Sequence, residues 1–239
     1  MTQIVQRGFV PSDKIEFNYK NAALLKEAQN DICFLLNRGY GIDKTIEFIG
    51  NHYLFSARQR LALKRALSSN QDIKRRQEHK LTDGYENSVI YIDGLNIIIT
   101  LEVALSNSTL LRCMDGTLRD LAGLRGTYKL IDKTDSAVEL IGEKLNKMKI
   151  KKVFFYLDSP VSNTGRLKSK ILDILAKYDY DTEVILVPNA DIILNKQDHV
   201  VTSDSIILND CTSWINLAYE IVKEELPNIS YIDFQIKNI

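Results

Sequence analysis

The spacing of apolar residues predicts a helical first third of the chain. Apolar positions recur at helical spacing over 21–36, and Asp43 and Ser56 are placed to cap helices over 44–51 and 57–67. Residues 68–87 are polar and charged, which predicts a linker or a solvated helix. We therefore expect residues 1–80 to form a small all-α module with a basic third helix and linker.

Residues 81–239 show an alternating pattern of strand-like and helix-like segments. Strands that alternate with helices favour right-handed crossovers, a mostly parallel sheet and helices on both of its faces. The predicted fold class is therefore α/β, with a three-layer domain over 81–239 that follows the helical module. The pattern predicts strands over 88–92, 109–113, 153–157, 183–187, 200–202 and 229–234, and helices over 97–105, 116–123, 133–147, 165–178 and 212–226.

Three of the strand-like runs end in an aspartate, namely Asp93, Asp158 and Asp204. A single aspartate after a strand is usually a helix cap or a turn residue. Ligand sites of parallel α/β sheets, however, lie at the carboxyl ends of the strands. Three carboxylates that converge there repel one another unless a cation or a proton separates them. The run of three predicts a functional site.

The net charge of zero conceals an uneven distribution. Residues 1–87 carry 14 basic against 10 acidic side chains, and eight basic residues stand against two acidic ones within 58–80. A basic segment beside an acidic site favours a polyanionic substrate, although a solvated helix face would have the same composition. Three isolated cysteines, no signal peptide and no long apolar run predict a cytoplasmic protein with no membrane contact.

The segment Asp93-Gly94-Leu95-Asn96 resembles the Asp-Gly-x-Asn signature of NYN nuclease domains, which belong to the PIN-like superfamily. The likeness continues in order through Asp158, through Asp191 in 189–193, and through the Ser203-Asp204 pair after a valine-rich run. The whole chain is also similar to an uncharacterised two-domain family of prokaryotes and archaea, on segments 36–40, 50–53 and 58–62. The resemblance implies a PIN-like fold and nuclease activity, with RNA the expected substrate.

Clustered aspartates are oxygen ligands that suit Mg²⁺ or Mn²⁺, either of which can activate a water for phosphodiester hydrolysis. Asp93, Asp158 and Asp204 are expected to be direct or water-mediated ligands, with Asp191 or Asp210 completing the set. Asn96 is expected to orient Asp93 or to contact a substrate phosphate.

Candidate donors to nucleic-acid phosphates lie in both parts of the chain. Arg166 follows a polar loop, 159–165, whose backbone N–H groups could hold a phosphate at a helix start. In 115–126 we expect Asp115 to cap a helix while Arg119 and Asp120 face solvent. The alternative is that Arg119 and Arg125 bind nucleic-acid phosphates at the mouth of the site. The candidates are Ser159, Arg166, Ser203, Arg119, Arg125, Arg58, Arg65, Arg75 and Arg76.

Three functions remain open on sequence grounds. A metal-dependent nuclease is the first. A non-catalytic nucleic-acid-binding or regulatory protein with a degenerate site is favoured by Asp204-Ser205, where an NYN domain usually carries a further acid close by. A phosphohydrolase of small substrates is favoured by loop 159–166, if that loop closes a small pocket. The sequence leaves the oligomeric state open.

Overall fold

The computed structural model describes residues 5–123 and 126–235. Its first part is helical, as the sequence predicts. Ser56 forms a capping box with Gln59 at the start of the fourth helix, and Gly41 rather than Asp43 is the N-cap of the third. The segment expected to be a linker or a solvated helix contains a further helix, capped by Ser69. The helices are α1 (Asp13–Glu16), α2 (Tyr19–Leu36), α3 (Ile42–His52), α4 (Ala57–Ala66) and α5 (Asn70–Glu78).

The remainder is an α/β domain whose order of elements follows the predicted alternation. Its strands are β1 (Lys80–Leu81), β2 (Val89–Asp93), β3 (Leu110–Arg112), β4 (Leu118–Asp120), β5 (Lys152–Asp158), β6 (Asp181–Val187), β7 (Val200–Val201), β8 (Trp214–Ile215) and β9 (Ile232–Asp233). Its helices are α6 (Gly94–Leu105), α7 (Thr134–Lys147), α8 (Thr164–Leu175), α9 (Ala190–Leu194), α10 (Ser205–Asp210) and α11 (Leu217–Glu225).

Six strands form one sheet in the order β1-β8-β7-β2-β5-β6, and every pairing in it is parallel. The chain runs outward from the central β2 to β5 and β6, then returns to the other side of β2 as β7 and β8. The strand order therefore reverses beside β2, and such switch points open a crevice at the carboxyl ends of the strands.

Helices cover both faces of the sheet, which confirms the predicted α/β class with three layers. The larger core joins β2 and β5 to α6, α7, α8 and α11, and α9 and α10 pack on the opposite face. A second sheet, β4-β3-β9, packs against the N-terminal helices and shares one core with them. The boundary predicted between residues 80 and 81 falls inside β1, which pairs with β8; the division into two domains stays a prediction.

One predicted helix is wrong, and another was predicted to begin too early. Residues 116–123 contain the short strand β4, whose three residues are all buried. Residues 212–226 begin with β8, and only the later part forms α11. Trp214 is buried as expected, and its indole N–H donates to the Arg76 carbonyl oxygen at 2.6 Å.

Candidate functional site at the carboxyl edge of the sheet

The three strand-ending aspartates lie on the same edge of the main sheet. Asp93 ends β2 and Asp158 ends the adjacent β5, while Asp204 follows β7 by three residues on the other side of β2. The parallel register brings these carboxyl ends together at the point where the strand order reverses.

Asp93 connects the strand to the helix that follows it. Its carboxylate caps α6 by accepting the Asn96 backbone N–H, and the residue is 7% exposed. A Cβ on Gly94 would lie 2.6 Å from Leu157 Cδ2 and 3.2 Å from the Tyr156 carbonyl oxygen. The glycine of the motif therefore lets α6 start close against β5, which fixes where the Asp93 carboxylate lies.

Thr202 joins two of the aspartates, a role that was not predicted from the sequence. Its hydroxyl donates to Asp93 Oδ2 at 2.9 Å and accepts the Asp204 backbone N–H at 3.0 Å. Asp204 in turn caps α10 through the Ile206 N–H at 2.7 Å. A hydroxyl group after a buried strand and two residues before an acid is the signal that sequence reasoning could have used.

Asn96 holds the same turn from the other side. Its side-chain oxygen accepts both the backbone N–H and the hydroxyl of Ser203, each at 2.9 Å. Asn96 was expected to orient Asp93 or to contact a phosphate. It does orient Asp93, but through the Asn96 backbone N–H and not through the side-chain amide. Ser203 is 4% exposed and its hydroxyl is used inside the protein, so it supports the turn instead of facing a ligand.

Asp158 and Asp191 are brought together by the short helix α9. Asp158 Oδ1 accepts the Ala190 N–H at 2.9 Å, and Asn189 caps the helix by accepting from Asp191 and Ile192. Asp191 in the first turn of α9 thus lies near the end of β5.

The electrostatics of the edge are those of a site with excess negative charge. The pKa of the Asp93 carboxyl is raised from 3.8 to about 7 because burial removes its hydration, and the charges of Asp204 and Asp191 add to the rise. The pKa of Asp191 is also raised, first by burial and then by the charges of Asp204 and Asp158. Among the described residues, no Lys or Arg forms an ion pair with any of these four carboxylates.

The donor set suits a hard divalent cation bound partly through water. Within residues 5–123 and 126–235, no three acidic, histidine or cysteine side chains form a group that could hold a metal ion directly. Mg²⁺ commonly takes one or two protein carboxylates and completes its shell with water and substrate phosphate oxygens. Asp93 and Asp204, joined through Thr202, offer carboxylate oxygens of that kind, with Asp191 in electrostatic range of both.

Asp210 is not part of this cluster. It is the last residue of α10, exposed, and about 9 Å along the helix axis from the N-cap Asp204 at 1.5 Å per residue. Its charge contributes to the raised pKa of Cys211 at the end of α10, whereas the charges that raise the pKa of Asp191 are those of Asp204 and Asp158. The expectation that Asp210 completes the ligand set is therefore corrected.

Three of the predicted phosphate-binding arginines are structural. Arg58 is ion-paired with Asp13, and Arg76 and Arg119 both bind Asp115. The side chains of Arg76 and Arg119 are only 2% and 5% exposed. Asp115 caps no helix, and Arg119 does not face solvent, so both expectations for 115–120 are wrong. Arg65 is half-buried and Arg75 is exposed.

The polar loop after β5 has fewer free donors than its sequence suggested. The backbone N–H groups of Ser159, Val161 and Ser162 donate to protein carbonyl oxygens. The Ser159 and Arg166 side chains are exposed, so both stay candidates for contacts with a phosphate. Arg125 lies outside the described residues.

The described part of the chain contains no helix that is long and apolar enough to span a bilayer.

Comparison with known proteins gives two family matches. A family described as "Protein of unknown function (DUF434)" matches residues 24–79, and "Domain of unknown function (DUF5616)" matches residues 82–220. "Uncharacterized protein MJ0935" of Methanocaldococcus jannaschii is 37% identical over 186 residues, which cover 77% of this chain and 88% of that protein. No solved structure matches the sequence.

These matches confirm that the chain has the two-part family organisation expected from its sequence, and neither description names a nuclease. The second match covers more than half of the chain and includes the whole acidic edge. This chain therefore belongs to the DUF5616 family.

Proposed function

We propose that this protein is a metal-dependent nuclease that hydrolyses phosphodiester bonds, with RNA as its substrate and Mg²⁺ or Mn²⁺ as its cofactor. The observation that carries the proposal is the gathering of Asp93, Asp158, Asp191 and Asp204 at the switch point of a parallel sheet without an ion-paired base. A divalent cation relieves such repulsion, and it can activate a water and neutralise charge on a phosphodiester during hydrolysis.

A cation bound at this edge would supply an activated water and would neutralise charge on the phosphate. The residues of the chain have separate tasks. Asp93 and Asp204 are the expected ligands, directly or through water. Thr202 links the two residues, because its hydroxyl binds the Asp93 carboxylate and the Asp204 backbone N–H. Asn96 Nδ2 has no hydrogen-bond partner among the described residues, since the contacts of that side chain are made through Oδ1. It is therefore free to donate to a phosphate oxygen.

The preference for RNA and the PIN-like assignment rest on the Asp93-Gly94-Leu95-Asn96 resemblance and on the ordered acids that follow it. The exposed Arg75 and the half-buried Arg65 remain the candidates for backbone phosphate contacts in the helical part. All three cysteines are buried and unpaired, which fits the cytoplasmic location that we propose with this function.

A second candidate is a non-catalytic nucleic-acid-binding protein. It is favoured by the position of Asp210 at the far end of α10, since Asp204 then lacks an acidic neighbour in its own helix. The phosphohydrolase alternative has less support because three N–H groups of loop 159–165 are already used by the protein.

The test is cleavage of a fluorescently labelled single-stranded RNA by the full chain with Mg²⁺, with Mn²⁺ and with EDTA. Asp93→Asn and Asp204→Asn should abolish the metal-dependent cleavage, because a neutral amide is a poor ligand for a hard cation. Asp210→Asn is the matched control and should cleave like the wild type. A wild-type protein inert toward RNA and DNA with both metals would instead support the binding-protein candidate.

A further inference from the structure

The buried Asp115 carboxylate contacts two arginines that hold opposite ends of one helix. Its Oδ2 accepts from Arg76 Nη1 and from Arg119 Nη2, each at 2.7 Å. Its Oδ1 accepts the backbone N–H and the hydroxyl of Thr117 at 3.1 and 2.6 Å. The pKa of Asp115 is lowered by the two arginines despite its burial, so the carboxylate is charged.

The two arginines contact opposite ends of α10. Arg119 Nε donates to the Ser203 carbonyl oxygen at 2.6 Å, immediately before the N-cap Asp204. Arg76 Nε donates to Asn209 Oδ1 at 2.7 Å, in the last turn of the same helix. A six-residue helix is too short to be stable by itself, so external contacts decide where it lies.

The same arginines fasten the helical part to this network. Arg119 Nη1 donates to the Arg65 carbonyl oxygen near the end of α4, and Arg76 belongs to α5. Arg76 Nη1 also donates to the Ser68 hydroxyl at 2.9 Å, between the two helices.

We propose that Asp115, through Arg119 and Arg76, is a positioning residue that sets where α10 and the Asp204 carboxylate lie relative to Asp93. This inference rests on the proposed metal site. It also gives the helical part a role that requires no contact with a phosphate. The helical part supports the acidic edge through the contacts of Arg119 with Arg65 and of Arg76 with Ser68. Residues that orient metal ligands without touching the metal typically change metal affinity by about 10- to 100-fold when altered.

The experiment measures Mn²⁺ affinity by isothermal titration calorimetry on the folded full chain, together with the thermal unfolding midpoint. Arg119→Lys keeps the positive charge near Asp204 but loses the planar fork that binds Asp115, Ser203 and Arg65 together. Asn209→Ala removes only the hydrogen bond between Arg76 and the Asn209 side chain of α10. This variant tests the inference if Arg119→Lys fails to fold. Ile171→Val, at a buried position of α8, is the control that lowers stability without touching α10.

We expect Arg119→Lys to bind Mn²⁺ about 10-fold or more weakly, Asn209→Ala to bind it measurably more weakly, and Ile171→Val to bind it like the wild type. Variants that unfold at lower temperature but keep wild-type Mn²⁺ affinity would show a structural role only and overturn the inference. If neither the wild type nor Asp204→Asn binds Mn²⁺, the result would instead contradict the proposed metal site itself.

Discussion

The Thr202 hydroxyl donates a hydrogen bond to Asp93 across 109 positions of sequence and accepts one from the Asp204 backbone. This single hydroxyl connects the ends of two neighbouring strands, β2 and β7. It also explains why Asp93 keeps a defined orientation while buried, since its two carboxylate oxygens each accept one hydrogen bond.

Replacement of Thr202 by valine keeps the β-branched shape and removes the hydroxyl. The hydrogen bond from Thr202 lowers the pKa of Asp93, so its loss should move that pKa above about 7. Unpaired groups left at Asp93 and Asp204 should lower the free energy of unfolding by about 1–3 kcal/mol. The measurements are a ¹³C NMR titration of the Asp93 carboxyl and urea denaturation.

Thr100→Val is the matched control for that variant. The Thr100 hydroxyl donates to Asp120 at 3.3 Å in another buried region, so its removal should leave the titration of Asp93 unchanged. An Asp93 pKa that is the same in Thr202→Val as in the wild type would show that the Thr202 contact has no electrostatic role.

The raised pKa of Asp93 predicts how stability depends on pH in the absence of metal. The folded protein holds a proton up to about pH 7 that the unfolded chain loses near pH 4. The free energy of unfolding should therefore fall as pH rises from about 4 to about 7, by up to a few kcal/mol. Asp93→Asn lacks this titration, so it should gain stability relative to the wild type across the same interval.

Urea denaturation in EDTA at pH 5 and pH 8 measures this difference. Added Mn²⁺ should restore stability to the wild type at pH 8, because the cation favours the ionised carboxylate, and it should do less for Asp93→Asn. If the free energies of unfolding of the wild type and of Asp93→Asn change by the same amount from pH 5 to pH 8, a raised pKa at Asp93 is ruled out.

The close approach of α6 to β5 can be tested at Gly94. Alanine there would place Cβ 2.6 Å from Leu157 Cδ2, so we expect Gly94→Ala to lower the free energy of unfolding by about 1–3 kcal/mol. Gly165→Ala is the matched control, since nothing lies within 4 Å of its added Cβ and it should stabilise α8 by about 0.4–1 kcal/mol. Equal effects of the two substitutions in chemical denaturation would contradict the packing argument.

The remaining basic candidates predict a specific dependence on salt. If Arg65 and Arg75 each contact a phosphate, the double alanine variant should bind single-stranded RNA more weakly on all sequences. Its salt slope should fall by about 0.7 for each lost contact. Lys149 and Lys151 lie just before β5, at the opposite edge of the sheet, and their double alanine variant is the charge-matched control. Fluorescence anisotropy at several salt concentrations measures the salt slope of each double variant. Identical slopes for the arginine variant and the lysine control would exclude Arg65 and Arg75 from the interface.

Much of the fold could be predicted because apolar runs and caps are local signals. The buried strands that end at Asp93 and Asp158, and the Ser56 cap, follow directly from residue pattern. The helix predicted over 116–123 is wrong for a physical reason. Arg119 and Asp120 have the composition of solvated helix residues, yet they are buried in a three-residue strand by contacts with Ser203 and Thr100.

The aspartates of the candidate site could be predicted from the sequence, but the residues that hold them in place could not. Asp93, Asp158 and Asp204 end or follow apolar runs, which marks them in the sequence. Thr202 and Asp115 bind partners far away in the chain, such as Asp93 and Arg76. A local pattern can mark the Thr202 hydroxyl, but it cannot identify the partner that the hydroxyl binds. For the same reason, counting basic residues over 58–80 did not separate the ion-paired Arg58 and Arg76 from the exposed Arg75.

The most direct test of the central claim is a crystal of the full chain soaked in Mn²⁺, with anomalous diffraction used to locate the ion. We predict an anomalous peak at the carboxyl edge of the sheet, coordinated directly or through water by Asp93 and Asp204, with Asp191 or Asp158 beside it. The peak should be absent in Asp93→Asn crystals and present in Asp210→Asn crystals. A wild-type crystal with no peak at this edge, or with Mn²⁺ bound only elsewhere, would contradict the account.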